Sequence, residues 1–212
     1  MRTMLDAVAP DHIPLTADMV AGYVDGYLST WPWSGWMRFA GHVRVAIAVS
    51  PTCDNGHVLD VERYDALPEQ APGWVLLRRA HGCDPSVYVG MANWADCRSA
   101  FHAAGVAEPH WWVADWTGLP HTPPGAVACQ WKSGPLFDTS QVADFWPGVD
   151  NGQTWPDDVA RIVRHPVAAV PVLPTLPDIL ARLAQTVGSA AGYATDAAWE
   201  AARADFLKAV GA

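Results

Sequence analysis

Eight short apolar segments recur along this 212-residue chain, and polar or turn-forming residues follow each of them. Runs of about four to eight residues rich in valine, isoleucine and aromatic side chains are typical of buried β-strands. The predicted strands cover residues 3–8, 19–24, 43–49, 57–63, 86–90, 110–114 and 126–131, and an eighth begins at Phe137.

Helical patterns separate some of these strands. One predicted helix covers residues 72–80, with a proline in its first turn, and another covers residues 94–104, with Gly105 as its stop. Strands that alternate with helices or loops about eight times predict an α/β fold, a TIM-like parallel β/α barrel. Several connections are too short for a full helix, so we expect a short barrel that is incomplete in helices.

The fourth strand carries two carboxylates, Asp60 and Glu62, with Val61 between them. Side chains alternate along a strand, so both carboxylates are predicted to project to the same side. Like charges held close together have separated pKa values, so one carboxyl keeps a proton while the other is ionised. This is the condition for acid/base work on a glycosidic bond.

Other polar residues also stand near the ends of predicted strands. In a parallel barrel all carboxyl ends of strands lie on one rim, where such enzymes keep their active sites. The sequence therefore predicts that seven side chains converge on one mouth: Asp6, Asp25, Asp60, Glu62, Asp115, Gln130 and Asp138.

Charge and composition restrict the partners. Twenty-two acidic and 13 basic residues give a net charge of −9, and no run of Lys and Arg is present to neutralise phosphates, which argues against nucleic acid. No stretch approaches the ~20 apolar residues of a membrane span, and the first residues do not resemble a signal peptide. We expect a soluble protein without a membrane partner. Its twelve tryptophans suit a carbohydrate site, because indole faces stack on sugars.

The four cysteines, Cys53, Cys83, Cys97 and Cys129, form no Cys-x-x-Cys pair. No histidine stands at metal-ligand spacing from them. We therefore expect packed, reduced thiols and no metal, with one disulfide left open as an alternative.

The ordered set of strand-end residues resembles the glycoside hydrolase family 25 muramidases and the related domains of actinobacteria and their phages. The resemblance covers roughly residues 1–148 and rests on these matches: Asp6, then Leu59-Asp60-Val61-Glu62, Tyr88, Trp112-Val113-Ala114, Gln130-Trp131 and Phe137-Asp138. It implies an incomplete barrel that cleaves the β-1,4 bond after N-acetylmuramic acid in peptidoglycan, without a cofactor. From the resemblance, together with the missing signal-like segment, we expect a location in the host cytoplasm or a phage virion, with action at the cell wall.

The resemblance implies a role for each matched position. Glu62 is the general acid, and Asp60 stabilises developing positive charge or orients the reacting N-acetyl group. Asp6 and Asp138 line the floor of the site. The sugar is held by Tyr88, Trp112 and Gln130. The resemblance implies a mechanism that is either inverting or assisted by the acetamido group of the substrate. A retaining mechanism with a protein nucleophile stays open as well, if the two carboxyls lie about 5 Å apart.

A tryptophan-rich segment, residues 28–36, has no counterpart in the resemblance. Trp31, Trp33 and Trp36 either pack in a core or lid or form a sugar platform, and Trp33 is the substrate-binding candidate among them. Asp25 and Asp115, at the predicted rim, are further substrate-binding candidates.

The chain changes character after Gly148. Residues 149–177 are predicted to be a proline-rich linker, and residues 178–212 two amphipathic helices. These helices dock on the barrel or join the chain to a second copy or a virion partner. The alternative function is a non-catalytic barrel that binds cell-surface glycan or serves in a phage particle. A groove with Asp60 and Glu62 at its floor favours the enzyme, whereas a rim plugged by Trp33, Trp36 or the C-terminal helices favours the alternative.

Overall fold

The computed structural model describes residues 1–26 and 29–151, and within them eight strands close into a barrel. The strands follow one another around the barrel in chain order. They are β1 (Arg2–Asp6), β2 (Met19–Tyr23), β3 (Val43–Ala48), β4 (Val58–Val61), β5 (Ser86–Gly90), β6 (His110–Ala114), β7 (Ala126–Lys132) and β8 (Asp138–Val142). All eight lie where the apolar segments predicted strands.

The direction of β8 corrects the predicted fold. Each strand from β1 to β6 runs parallel to the strand that follows it. Strand β8, in contrast, runs antiparallel to both of its neighbours, β7 and β1. The barrel is therefore mixed and not parallel throughout. Only residues 133–137 connect β7 to β8, and a parallel crossover needs about a dozen residues or more. The reversed direction puts the first residue of β8, Asp138, at the same mouth as the last residue of β1, Asp6, its register partner.

Three α-helices and one 3-10 helix accompany the strands within the described ranges. The 3-10 helix is Pro10–His12, and the α-helices are α1 (Trp33–Arg38), α2 (Ala71–Ala80) and α3 (Met91–Ala103). Helices α2 and α3 confirm the two predicted helices to within three residues at each end. The sequence did not predict the six-residue α1. Most connections thus lack a full helix, as expected.

Alternation along each strand divides the core into an inside and an outside layer. The two adjacent tryptophans of β6 illustrate this: Trp112 packs inside the barrel, whereas Trp111 packs outside, against α3. Outside the barrel, α2 and α3 cover β4 to β6, and Trp31, Trp36 and Phe39 form a second apolar cluster against β1 to β3. The barrel wall is therefore buried on both faces over most of its circumference.

The end of the barrel opposite the mouth is closed by Trp146. This residue follows β8, is fully buried, and donates its indole N–H to Ser86 Oγ at the start of β5, at 2.8 Å. The predicted domain boundary at Gly148 lies just after this plug. Beyond residue 151, the predicted linker and the two predicted C-terminal helices fall outside the described residues. Within the described ranges, no helix has the length and apolar character needed to cross a membrane.

Candidate active site

A pocket of about 240 Å³ opens at the mouth of the barrel, and four carboxylates line it. They are Asp6 from β1, Asp60 from β4, Glu62 just after β4, and Asp138 from β8. The remaining lining residues are mostly aromatic or polar: Tyr23, Ile47, Tyr88, Trp112, Trp116, Gln130 and Ser133. No Lys, Arg or His lies in this lining, so no basic side chain there balances the carboxylates.

The backbone of β4 places the acidic pair as its sequence predicted. Val61 packs outside the barrel in the apolar cluster under α2, and Asp60 and Glu62 both line the pocket. The two carboxyls differ in their environment, because Asp60 is only 4% exposed whereas Glu62 is partly open to solvent. The pair therefore offers one enclosed carboxyl and one accessible carboxyl.

Burial raises the pKa of Asp60 well above its usual range, and the charges of Glu62, Asp65 and Asp6 add to the effect. This carboxyl therefore keeps its proton to a higher pH than an ordinary aspartate does. Its Oδ1 atom is buried without a hydrogen-bond partner among the described residues. A buried polar atom without a partner is costly, so this oxygen is available to a group that enters the pocket.

The pKa of Glu62 is also raised, mainly by burial, while an interaction with the Tyr88 hydroxyl opposes the rise. Asp65 and Asp138 raise it further through their charges. A carboxyl that retains its proton above the usual range and reaches solvent is suited to donate that proton to a bound substrate.

Gln130 holds a hydrogen-bond network on the other side of the pocket. Its side-chain N–H group donates to both carboxylate oxygens of Asp6, at 3.0 and 3.3 Å. Its Oε1 atom accepts from the Tyr88 hydroxyl at 2.9 Å and from the Trp116 indole at 2.8 Å. These four contacts fix the orientation of the amide, so Gln130 connects an acidic floor residue to two aromatic residues.

Asp6 is almost fully buried, and its pKa is raised to about 7. Burial is the largest cause, the charge of Asp138 adds to it, and the hydrogen bond from Gln130 opposes it. Directly opposed residues on antiparallel strands have Cβ atoms about 4.5–5.5 Å apart, which accounts for the strong effect of Asp138. Asp6 therefore exchanges its proton near neutral pH.

Aromatic side chains form the floor beneath the acidic residues. Trp112 is buried, donates to Ser140 Oγ at 3.0 Å, and contacts Tyr88 edge-on with ring centroids 4.8 Å apart. Trp146 packs beneath Trp112 at 6.0 Å. The low polarity of this floor is one reason for the raised pKa values above it.

Three predicted substrate-binding residues lie outside the pocket lining. The carboxylate of Asp25 accepts hydrogen bonds from the backbone N–H groups of Val49 and Ser50, at 2.7 and 3.0 Å. Asp115 pairs with His121 at 2.9 Å. Trp33 is the first residue of α1 and is about half exposed. The structure brings together the other seven predicted residues: Asp6, Asp60, Glu62, Asp138, Tyr88, Trp112 and Gln130.

The neighbours of Trp33 do not plug the mouth. Trp31 and Trp36 are buried in the outer cluster, with ring centroids 4.6 Å apart, and the Trp31 indole donates to the carbonyl of Ala7 at 2.9 Å. The segment was predicted either to pack in a core or lid or to form a sugar platform, and these two tryptophans fit core packing.

Sequence reasoning missed two aromatic residues of the pocket. Tyr23 is the last residue of β2, and its alternation with Ala21 and Met19 already directs it into the barrel. Trp116 lies two residues after the end of β6, so strand alternation does not predict its direction. The only signal for it in the sequence is its position next to Asp115, a predicted rim residue. Ser133 and Ile47 also line the pocket without having been predicted.

A second hollow of about 270 Å³ adjoins the pocket and shares Asp6, Tyr23 and Asp138 with it. Its outer part is more apolar, with Val8 and Leu136 among its lining residues, and it includes His12. The two hollows therefore lie side by side, across β1 and β8.

The described residues contain no group of three or more His, Cys, Asp or Glu side chains arranged to hold a metal ion. The four cysteines are free thiols in this structure. Cys97 and Cys129 are buried, and burial raises the pKa of their thiols to about 12 and about 11. The side chains that line the pocket mostly carry carboxyl, hydroxyl, amide and aromatic groups.

Comparisons of this chain with protein-family models, with curated proteins and with solved structures give no match.

Proposed function

We propose that this chain is a glycoside hydrolase that cleaves bacterial peptidoglycan, with Glu62 as the general acid. The observation that carries the proposal is the pairing of a partly exposed Glu62 with a buried Asp60 in a pocket that contains four carboxylates and four aromatic side chains. Glycoside hydrolysis needs two carboxyl groups in different protonation environments beside the scissile bond. The resemblance to family 25 muramidases supplies the sugar and the bond.

The raised pKa of Glu62 allows it to keep a proton for the leaving oxygen. The raised pKa of Asp60 favours a role as a hydrogen-bonding group over one as a charged nucleophile. Its unpartnered Oδ1 is an acceptor for the N–H of an acetamido group. This arrangement favours the assisted mechanism, in which the acetamido oxygen forms a bond to the anomeric carbon as Glu62 protonates the leaving oxygen. Water then opens the cyclic intermediate and returns a proton to Glu62.

The aromatic lining supports a sugar as the ligand. Tyr23, Tyr88 and Trp116 surround the acidic groups, and the Trp116 ring is 61% exposed. Aromatic faces give contact area to the apolar face of a sugar ring, while the carboxyl and amide groups bind its hydroxyls. The second hollow, which adjoins the pocket beside Asp138, gives room for a further sugar of a polymer.

The test is release of reducing sugar from purified actinobacterial peptidoglycan, with wild type and Glu62→Gln assayed side by side. We expect Glu62→Gln to lower the rate about 10²–10⁴-fold, because it removes the general acid. Glu69→Gln, an exposed acid-to-amide change outside the pocket, serves as the matched control and keeps the wild-type rate. Equal release by Glu62→Gln and wild type would remove Glu62 from the mechanism.

A second candidate function is glycan binding without turnover. The enclosure of Asp60 favours it, since burial raises the pKa of this carboxyl and so disfavours the charged form that would stabilise a positive transition state. Co-sedimentation with cell walls separates the two. An enzyme both sediments with the wall and releases sugar, whereas a binding protein sediments equally well in wild type and Glu62→Gln and releases none.

A further inference from the structure

The connection between β6 and β7 carries an ion pair that belongs to neither the pocket nor the core. His121 Nε2 lies 2.9 Å from Asp115 Oδ2, and both side chains are about one-third exposed. Asp115 directly precedes Trp116, whose ring lies at the pocket mouth. The ion pair therefore bridges the two halves of the loop that presents Trp116.

Both ring nitrogens of His121 face acceptors. Nδ1 lies 2.9 Å from the carbonyl of Leu119, while Nε2 faces the carboxylate of Asp115. A neutral imidazole has only one N–H, so it satisfies one of these acceptors and turns a lone pair towards the other. Only the imidazolium donates to both. The two shorter contacts thus match the protonated form of His121, and the Thr117 hydroxyl lies farther from Nδ1, at 3.3 Å.

The loop is fixed at its start by backbone hydrogen bonds to β7. The Asp115 N–H donates to the carbonyl of Gln130 at 2.9 Å, and the Gly118 N–H donates to the carbonyl of Trp131 at 2.9 Å. Between these two anchors the Trp116 indole donates to the side chain of Gln130. The tryptophan ring is exposed and yet held in one orientation, and the His121 bridge closes the loop behind it.

We propose that Asp115 and His121 are positioning residues that hold Trp116 over the pocket, and that they do so in the protonated state of His121. The role of Trp116 against a sugar rests on the function proposed above. The positioning of Trp116 itself does not, because it is a property of the free protein. Asp115, a substrate-binding candidate in the sequence, thus acts through Trp116 and not by contact with the sugar.

The ionisable groups around the bridge set its response to pH. His121 faces Asp115 on its own loop and the thiol of Cys129 on β7, at 3.7 Å from Nε2. Hydrogen bonds to Leu119 and Asp115 raise the pKa of His121 above its ordinary value. The bridge is therefore complete below that pKa and weakens as the pH rises through it. Asp6 reaches Trp116 separately, through Gln130.

The test follows the Trp116 indole N–H in the free protein by ¹H–¹⁵N NMR, with the resonance assigned by its loss in Trp116→Phe. We expect this resonance to shift with pH along the same curve as the His121 ring. In His121→Gln the part of the pH-dependent shift that follows His121 should disappear. Exchange of the indole proton with water should become at least severalfold faster below the pKa of His121. Asp6→Asn should remove the part of the pH-dependent shift that Asp6 transmits through Gln130. It should leave the part that follows His121.

His102→Gln, at an exposed position of α3, is the matched control and leaves the Trp116 resonance unchanged. Asp115→Asn provides a second variant should His121→Gln fold poorly; it is expected to lower the pKa of His121 and speed indole exchange. A Trp116 resonance that titrates identically in wild type and His121→Gln would overturn the proposal. So would an indole exchange rate that neither variant changes.

A kinetic measurement tests the link to the sugar. If the proposed hydrolase activity is present, His121→Gln should raise KM for wall fragments severalfold with little change in kcat, and the rise should vanish at a pH above the pKa of His121. An unchanged KM alongside an altered indole resonance would overturn the sugar-platform role of Trp116 and keep the positioning role. Absence of hydrolysis in every variant would count against the proposed function but leaves the NMR result decisive for the positioning.

Discussion

The two ends of the barrel interior have opposite chemistry. The closed end is apolar and contains Met4, Val45, Val58 and Trp146, whereas the mouth holds four carboxylates over Trp112. The closed end contributes stability through burial of apolar area. The mouth costs stability, because carboxyl groups are desolvated there without basic partners in the pocket lining. A site that opposes folding in this way is typical of function rather than structure.

The two ends also depend on each other. The apolar floor keeps water away from Asp6 and Asp60, and burial is the largest cause of their raised pKa values. The network of Gln130, Tyr88 and Trp116 then fixes the side chains above that floor. Mutations at the closed end should therefore act mainly on the free energy of unfolding, and mutations at the mouth on its pH dependence and on activity.

The largest effect is expected at the plug of the closed end. Trp146→Ala should lower the free energy of unfolding by about 3–5 kcal/mol through the cavity it leaves, and by about 1–3 kcal/mol more because buried Ser86 loses its partner. Urea unfolding followed by circular dichroism measures this. A loss below about 1 kcal/mol would show that the closed end is not the stabilising half of the barrel.

A change at the mouth should instead alter the pH dependence of stability. The pKa of Asp6 is about 7 in the folded protein and near 3.8 when unfolded, so the folded state holds a proton that the unfolded state releases. The free energy of unfolding therefore falls as the pH rises from about 4 to 7. At about 1.4 kcal/mol for each pH unit, the fall is roughly 4 kcal/mol.

Asp6→Asn should remove this part of the pH dependence. Between pH 4.5 and pH 7.5, the variant should therefore lose less free energy of unfolding than wild type does. Urea unfolding at both pH values gives the comparison. Asp11→Asn, an exposed change near the same mouth, should leave the wild-type slope intact. Identical slopes for Asp6→Asn and wild type would mean that Asp6 is ionised in the folded state at low pH, contrary to its burial.

The sequence predicted the strands well because each strand is a local pattern. A short apolar run bounded by turn residues identifies β3 or β5 without reference to the rest of the chain. The direction of β8 is not local, since periodicity is the same whichever way a strand runs. The length of the connection carries that information, and residues 133–137 are too few for a parallel crossover. The Trp146 plug was missed for the same reason, because its partner Ser86 is 60 residues away.

The site was predicted to the extent that its residues lie within strands. Asp6, Tyr88, Trp112 and Gln130 alternate inward and line the pocket. For Asp115 the same alternation continued from Trp112 gives an outward direction, so a signal against it was present in the sequence. Glu62 continues the alternation one residue past the end of β4 and also lines the pocket. Two residues past β6, at Trp116, alternation no longer fixes where the side chain lies. Loop hydrogen bonds decide there, and no sequence pattern encodes them.

Asp25 tests the comparison of the two barrel ends, because it lies near the mouth although its carboxylate binds backbone N–H groups. Asp25→Ala leaves the N–H groups of Val49 and Ser50 without their carboxylate acceptor. We expect a loss of about 1–3 kcal/mol in the free energy of unfolding, with no change in kcat of any wall hydrolysis. Asp18→Ala, an exposed change before β2, is the control. A fall in kcat at unchanged stability would instead return Asp25 to the substrate-binding residues.

Trp33 should show the smallest effect of all. Its side chain is about half exposed on α1 and outside the pocket lining, while its neighbours Trp31 and Trp36 form the buried cluster. Trp33→Ala should therefore change the free energy of unfolding by no more than about 0.5 kcal/mol and leave wall binding intact, whereas Trp116→Ala should weaken wall binding. Co-sedimentation with purified walls measures both. If Trp33→Ala weakens wall binding as much as Trp116→Ala does, the ligand extends across α1, and the functional surface reaches beyond the acidic mouth of the barrel.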